Sequence, residues 1–371
     1  MKIGICIFTA QEFLSINDYC GGEYRYLLKV AQCLSELGHE VVVILENNKD
    51  EFEDSGIRFI RYDRCINSKD SRLERHWGCS LDNYGHEPLS ENKLESFDVF
   101  ISQNSDFLTH HIFRYNAKKI IFCLGKPEGF DFKKSDCILV YDPVVGYWCT
   151  GNKLNSEIIY PYIESIESKT KNKNLLISAS TELYSYISFD VNYEIFLRAK
   201  NEIPSLIYRH YYVQDWIDVN LSRDPNQDVI DYFREYEIIT KLMKPIDGFE
   251  PVEYKNYKEY QLDLSHAGFY LHGRGDIKSL AGNEAMFHGV FTINPKKPHM
   301  MYADLAINVD FDYSKPDERE IAIQLSTQKL MEAYFDKDVY NNIAGLQMVQ
   351  TVPHRTKTTM KKQLSKMLDN L

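Results

Sequence analysis

Residues 41–45 read Val-Val-Val-Ile-Leu, an apolar, mostly β-branched run with no polar alternation. Such a run fits a strand covered on both faces, as in a parallel sheet with helices on either side. Ahead of it, Leu27, Val30, Ala31 and Leu34 recur at i, i+3, i+4 and i+7, the stripe of a helix packed on a sheet, and Gly38 ends that helix. Further back, residues 2–9 form a first strand, and Gly21-Gly22 close the polar loop after it. Strand, glycine loop, helix and strand thus follow one another, a crossover that chain chirality makes right-handed.

The alternation continues. Short apolar runs predict strands at 57–62, 98–102, 119–124 and 137–141. Residues 158–163, with Tyr160-Pro161-Tyr162, leave the first domain, and the polar run 164–174 has the composition of a linker. A strand at 175–178, a helix over 193–199 and a strand at 205–212 then restart the pattern. A chain of 371 residues, 44% apolar, is long enough for two cores. The expected architecture is α/β, two Rossmann-like domains over 1–163 and 164–345, with 346–371 as a terminal helix. From Glu318 the pattern is helical with Ile321, Leu325 and Leu330 facing inward, and 359–371 is a lysine-rich amphipathic segment. That last segment reads as a helix packed on the first domain, a free surface helix, or a contact with anionic membrane through Lys361, Lys362 and Lys366.

Composition removes several classes of function. The formal net charge of −11 argues against a broad basic face for nucleic acid. Eight cysteines all lie in the first half without a Cys-x-x-Cys pair, which predicts a reduced, cytoplasmic protein and no zinc. The apolar run at 3–8 is a strand rather than a leader, and no run is long enough to span a bilayer, so any membrane role is peripheral, at the inner face. Asp310-Phe311-Asp312 closes an apolar run and reads as loop acids, so no metal is expected. The charged segment 64–95, with Arg72, Arg75, His76 and Trp77, reads either as an acceptor-side or lid loop or as a surface insertion.

The stretch from Leu271 to Asn294 concentrates the chemistry. An apolar run at 267–271 gives way to a glycine-rich polar loop, then to a compact helix opened by Asn283 and stopped by Gly289, then to apolar residues 290–293. Asn is a favoured N-cap, Glu284 falls in the first turn, and Gly289 suits the left-handed exit. Amides and a carboxylate would then face a crevice at the carboxyl end of a buried strand, where open α/β sheets bind ligands. The simpler reading is that Glu284 only caps its own helix.

The run Asn283-Glu284-Ala285-Met286-Phe287-His288-Gly289 resembles the Glu-Ala-Met-Ala-Cys-Gly signature in the second domain of GT-B glycosyltransferases, particularly the large retaining, family 4-like group that uses nucleotide sugars. Asp276 lies eight positions before Glu284, where that family has its other acid. The resemblance implies that Glu284 holds the ribose hydroxyls and that Asp276 lies beside the donor sugar, both at the catalytic centre, with Asn283 next to them. The loop Gly21-Gly22-Glu23-Tyr24-Arg25 and the helix end from Leu34 to Val41 resemble the opening of the same family, which implies that Gly21 and Gly22 approach the donor diphosphate.

The chain also departs from the pattern. Ile277, Lys278, Ser279 and Leu280 stand between the acids where relatives carry glycines, and Gly125 and Lys126 follow the strand where relatives have a histidine. No basic residue occurs from Leu175 until Arg198, so the charge developing on a leaving diphosphate must be met by amides or by other cations. Arg209, Lys241, Lys244, Arg274 and Lys278 are available, and Lys126 and His110 are candidates on the acceptor side. The implied function is transfer of a sugar from a UDP- or GDP-sugar, without a cofactor, to a saccharide or glycolipid hydroxyl across the cleft between two domains. The alternatives are glycosylation of hydroxymethylated bases in viral DNA, in a host cytoplasm, and a nucleotide-binding GT-B scaffold that has lost transfer.

Overall fold

The computed structural model describes residues 1–8, 14–18, 22–46, 51–62, 96–103, 115–123, 134–141, 143–166, 170–180, 185–213, 237–272, 280–293 and 315–371. Contacts divide the chain into two units, Met1–Tyr162 with His354–Leu371, and Ile163–Pro353.

The first unit holds an eight-stranded sheet of β1 (Lys2–Phe8), β2 (Glu40–Glu46), β3 (Phe52–Asp54), β4 (Ile57–Tyr62), β5 (Val99–Gln103), β6 (Lys118–Phe122), β7 (Cys137–Val140) and β8 (Ser156–Ile158). Its order is β3-β4-β2-β1-β5-β6-β7-β8. Every neighbouring pair is parallel except the β3–β4 hairpin. The order reverses at β1, as in a doubly wound sheet. Helix α1 (Gly22–Glu36) buries Tyr26, Leu27, Val30, Ala31 and Leu34 against β-branched residues of β1 and β2. Its polar groups fasten the neighbouring chain. Arg25 donates to the carbonyls of Ile16 and Asp18, Tyr26 Oη to Ile159 O at 2.9 Å, and Lys29 Nζ to Tyr162 O at 2.8 Å. Helix α2 (Pro143–Gly151) covers the opposite face beside β7 and β8. Cys6, Cys33, Cys123, Cys137 and Cys149 are buried cysteines outside any disulfide.

The second unit holds β9 (Asn172–Ser180), β10 (Ile207–Tyr212), β11 (Phe249–Glu253), β12 (Ala267–Leu271) and β13 (Phe291–Ile293) in the order β11-β10-β9-β12-β13, all parallel. Helices α3 (Ser185–Glu202), α4 (Ile238–Met243), α5 (Tyr257–His266), α6 (Leu280–Phe287), α7 (Pro316–Phe335) and α8 (Lys337–Thr351) accompany it. The order reverses at β9, which lies between β10 and β12. Strand β9 begins at Asn172, inside the stretch expected as linker, because Leu175, Leu176 and Ile177 are buried deep enough to carry the ladder back through Asn174. On β13 the side chain of Gln347 replaces a neighbouring strand, accepting from Thr292 N at 3.0 Å and donating to Thr292 O at 2.9 Å.

Two expectations about the C-terminal helices are corrected. In α7 Leu330 is buried as expected and Leu325 is half-buried against the same core, but Ile321 is exposed, and Ala322 and Ile323 face inward in its place. The segment 346–371 is also not one element. Helix α8 stays with the second unit until Thr351, and Val352–His354 turn the chain. Helix α9 (Lys357–Asp369) then packs on α1 through Met360, Leu364, Met367 and Leu368. Two of its lysines, Lys357 and Lys361, pair with Glu36 at 2.8 and 3.0 Å.

Candidate nucleotide site

The site is built where β12 ends, beside the reversal point of the second sheet. All five residues of β12 are buried, and the strand delivers His272, whose amide donates to Ile293 O of β13 at 2.8 Å. The His272 ring lies nearly parallel to Tyr270, with centroids 6.0 Å apart, and faces Gly282 in the first turn of α6. A β-carbon at Gly282 would sit 3.4 Å from that ring, so the glycine lets helix and histidine pack closely.

Helix α6 begins at Leu280, four residues earlier than expected, and Asn283 is therefore inside it rather than its cap. Packing of buried Ala285 and half-buried Ala281, four apart on one face, against the α5 and β12 residues outweighs the capping preference of Asn. Glu284 accordingly lies beyond the first turn, and the simple capping reading fails for it. Its carboxylate is 1% exposed and accepts a hydrogen bond from Tyr257 Oη. The expected exit does form, since Gly289 has φ +69° and its amide donates to Met286 O at 3.0 Å.

Tyr257 is the first residue of α5, whose start is fixed by Asn256. The Asn256 side chain accepts from Lys258 N and Glu259 N at 2.9 and 3.3 Å. One turn on, Gln261 Oε1 meets His288 Nε2 at 3.1 Å, a second tie between α5 and the end of α6. Burial pushes the phenols of Tyr260 and Tyr270 above their ordinary range, and the Glu284 carboxylate acts in the same direction. Both remain protonated at neutral pH.

Arg209, expected among the donor-binding cations, is held by two carboxylates. Its Nε and Nη2 donate to Glu250 Oε2 at 2.9 and 2.7 Å, and its Nη1 to Asp263 Oδ2 at 2.6 Å. Burial disfavours its charge, but the two carboxylates more than offset this and hold the guanidinium above its usual range. It therefore ties β10 to β11 and α5, with its charge already matched. Lys241 is likewise engaged by buried Asp190, at 2.5 Å. In the first unit Gly22 opens α1, with open space around it among the described residues.

Gly21, His110, Lys126, Arg274, Asp276, Lys278, the Asp310–Asp312 pair and the 64–95 segment lie outside the described residues. Sequence reasoning missed Tyr257, Gln261, His272 and His288. Only the first had a readable signal, since Asn256-Tyr257-Lys258-Glu259 has the N-cap-to-acid spacing of a helix start.

No family model matches the chain, and no curated protein matches it in sequence. Solved structures do match in shape over essentially the whole length. Sucrose-phosphate synthase from Thermosynechococcus elongatus is 12% identical with a TM-score of 0.61, covering 99% of this chain and 98% of its own. The pneumococcal O-GlcNAc transferase in complex with UDP and GlcNAc is 9% identical with a TM-score of 0.67, covering 100% and 98%. An alpha-glucosyltransferase in complex with UDP-glucose and DNA containing an abasic site is 11% identical with a TM-score of 0.59, covering 100% and 99%. The chain has the fold of these glycosyltransferases, two Rossmann-like domains of the GT-B type.

Proposed function

We propose that the protein is a glycosyltransferase that moves a sugar from a nucleoside diphosphate sugar, a UDP-sugar or GDP-sugar, to a hydroxyl of a saccharide or glycolipid, with retention at the sugar. The observation that carries this reading is Glu284, a nearly inaccessible carboxylate held by Tyr257; it lies on α6, the helix whose Gly282 packs on His272 just past β12, beside the reversal point of a parallel sheet. A carboxylate accepts from two hydroxyls at once, and the vicinal pair of a ribose fits that geometry. Asp276, eight residues earlier, is assigned to the donor sugar, and Arg274 or Lys278 to the charge developing on the departing diphosphate. Gly21 and Gly22 are assigned to the diphosphate, since missing β-carbons and a helix start admit phosphate. Solved neighbours captured with UDP and with UDP-glucose favour uridine as the nucleotide.

DNA is the second acceptor reading, prompted by the neighbour captured with DNA. The net charge of −11 weighs against it.

The test is thermal stability against UDP, GDP and their sugar conjugates, followed by donor hydrolysis for any that bind. A nucleotide at 100 times its dissociation constant should stabilise the protein by about 2.7 kcal/mol. Glu284→Ala should abolish that shift and donor turnover together. Absence of a shift with every nucleotide, or unchanged turnover in Glu284→Ala, overturns the assignment.

A further inference from the structure

We propose that Tyr257 is a positioning residue for ribose recognition, its hydroxyl holding Glu284 in the one orientation that presents the carboxylate to the two ribose hydroxyls. This rests on the glycosyltransferase reading and adds to it a residue outside the motif. A glutamate has three side-chain torsions, and freezing them on binding costs affinity; a carboxylate held beforehand avoids that cost. The restraint is local and rigid. Tyr257 is 6% exposed, sits at the capped first position of α5, and donates to Glu284 Oε1 from a different helix. Helices α5 and α6 are tied a second time by Gln261 and His288, so the distance between phenol and carboxylate is set by packing rather than by the pair itself.

The arrangement makes a claim that a merely structural contact would not. Removing the hydroxyl alone, with the ring kept, should weaken only those ligands whose binding uses the carboxylate. The experiment is calorimetric binding of UDP and of 2′,3′-dideoxy-UDP to wild type, Tyr257→Phe, Glu284→Ala and the double variant, or of the matching GDP pair if the wild type binds GDP instead. Tyr257→Phe should lose about tenfold in affinity for UDP, the worth of a hydrogen bond to a charged group. It should bind the dideoxy nucleotide as the wild type does. In the Glu284→Ala background the same change should add nothing, which a double-mutant cycle reads directly. The ligand-free melting temperature of each variant checks folding, and Tyr257→Trp, expected to misplace the carboxylate while filling the space, gives a second route to ribose-selective loss.

Equal losses for the two nucleotides, no loss for either, or full additivity with Glu284→Ala overturns the role of Tyr257 while leaving the function in place. A wild type that binds none of the nucleotides overturns the function and this role with it.

Discussion

His210 shows how one buried side chain ties the second unit to pH. It sits on β10 with its Nδ1 2.7 Å from Ser178 Oγ and 3.3 Å from Tyr208 Oη, and Phe189 lies over it with ring centroids 4.4 Å apart. Burial pushes its pKa down from 6.5 to about 3. The folded state therefore refuses a proton that the unfolded chain accepts once the pH falls below about 6.5, and stability falls with pH from there towards 3. Between pH 7 and pH 5 this one group should cost about 2 kcal/mol. Unfolding free energies from urea titrations at the two pH values should differ by that amount more in the wild type than in His210→Asn, which cannot titrate there. Equal pH slopes in the two proteins would refute the assignment. Residues of this kind escape sequence reading because their partners are brought by the sheet. Ser178 and His210 are 32 positions apart and meet only because β9 and β10 pair in register. Tyr257 and Glu284, 27 apart, are hidden in the same way.

At the scale of the element, β12 decides where the site stands, and Gly268 decides where β12 stands. A β-carbon there would lie 2.6 Å from Lys173 Cα and 2.7 Å from Asn172 O, both backbone atoms of β9. The register between the strands shifts at this point, and the Gly268 carbonyl accepts from Tyr340 Oη at 2.9 Å, which fixes the strand from α8 as well. Gly268→Ala must push β12 away from β9 and should cost about 1–3 kcal/mol, as overpacking does. The measurement is the denaturant midpoint; a variant as stable as the wild type would show that the two strands are free to separate. The existence of β12 was legible because residues 267–271 are apolar and followed by a glycine-rich loop. The runs behind β1, β2 and β9 were legible for the same reason, since a strand buried on both faces leaves a continuous apolar run. Strands β3, β8 and β11 were not, because Phe-Glu-Asp, Ser-Glu-Ile and Phe-Glu-Pro-Val-Glu lie nearer the sheet edges and carry too few apolar residues to announce themselves. Likewise Glu284 was found from a motif, but its helix start was not, because packing of Ala281 and Ala285 against α5 and β12 residues moved it a turn.

At the scale of the whole molecule, the chain closes its first unit with its last helix. Met360, Leu364, Met367 and Leu368 sit in the same core as Leu27, Val30 and Leu34, although more than 300 residues separate them in sequence. Tyr162 N also meets Met360 Sδ at 3.4 Å, so the strand exit from the first unit is covered by the same helix. Burying four such side chains contributes about 1.5–3 kcal/mol each, a sum comparable with the whole stability of a domain at about 5–15 kcal/mol. A chain ending at Pro353 should therefore lose the first unit while keeping the second, whose own core is complete without α9. Hydrogen exchange read by peptide makes the distinction. Protection should collapse in α1 and β1 and persist in β9 and α3. Leu364→Ala, which removes one side chain and leaves the helix, should lower protection in α1 by about 2–5 kcal/mol with no change in α3. Full protection of α1 in the shortened chain would mean that α9 only decorates the surface of a unit already stable. Loss of protection in both units alike would mean that they unfold as one cooperative body. The lysine-rich face of α9 bears on the same question, because Lys357 and Lys361 are held by Glu36. Glu36→Ala should therefore leave the helix docked, its hold being apolar, since exposed ion pairs contribute only about 0–1 kcal/mol each.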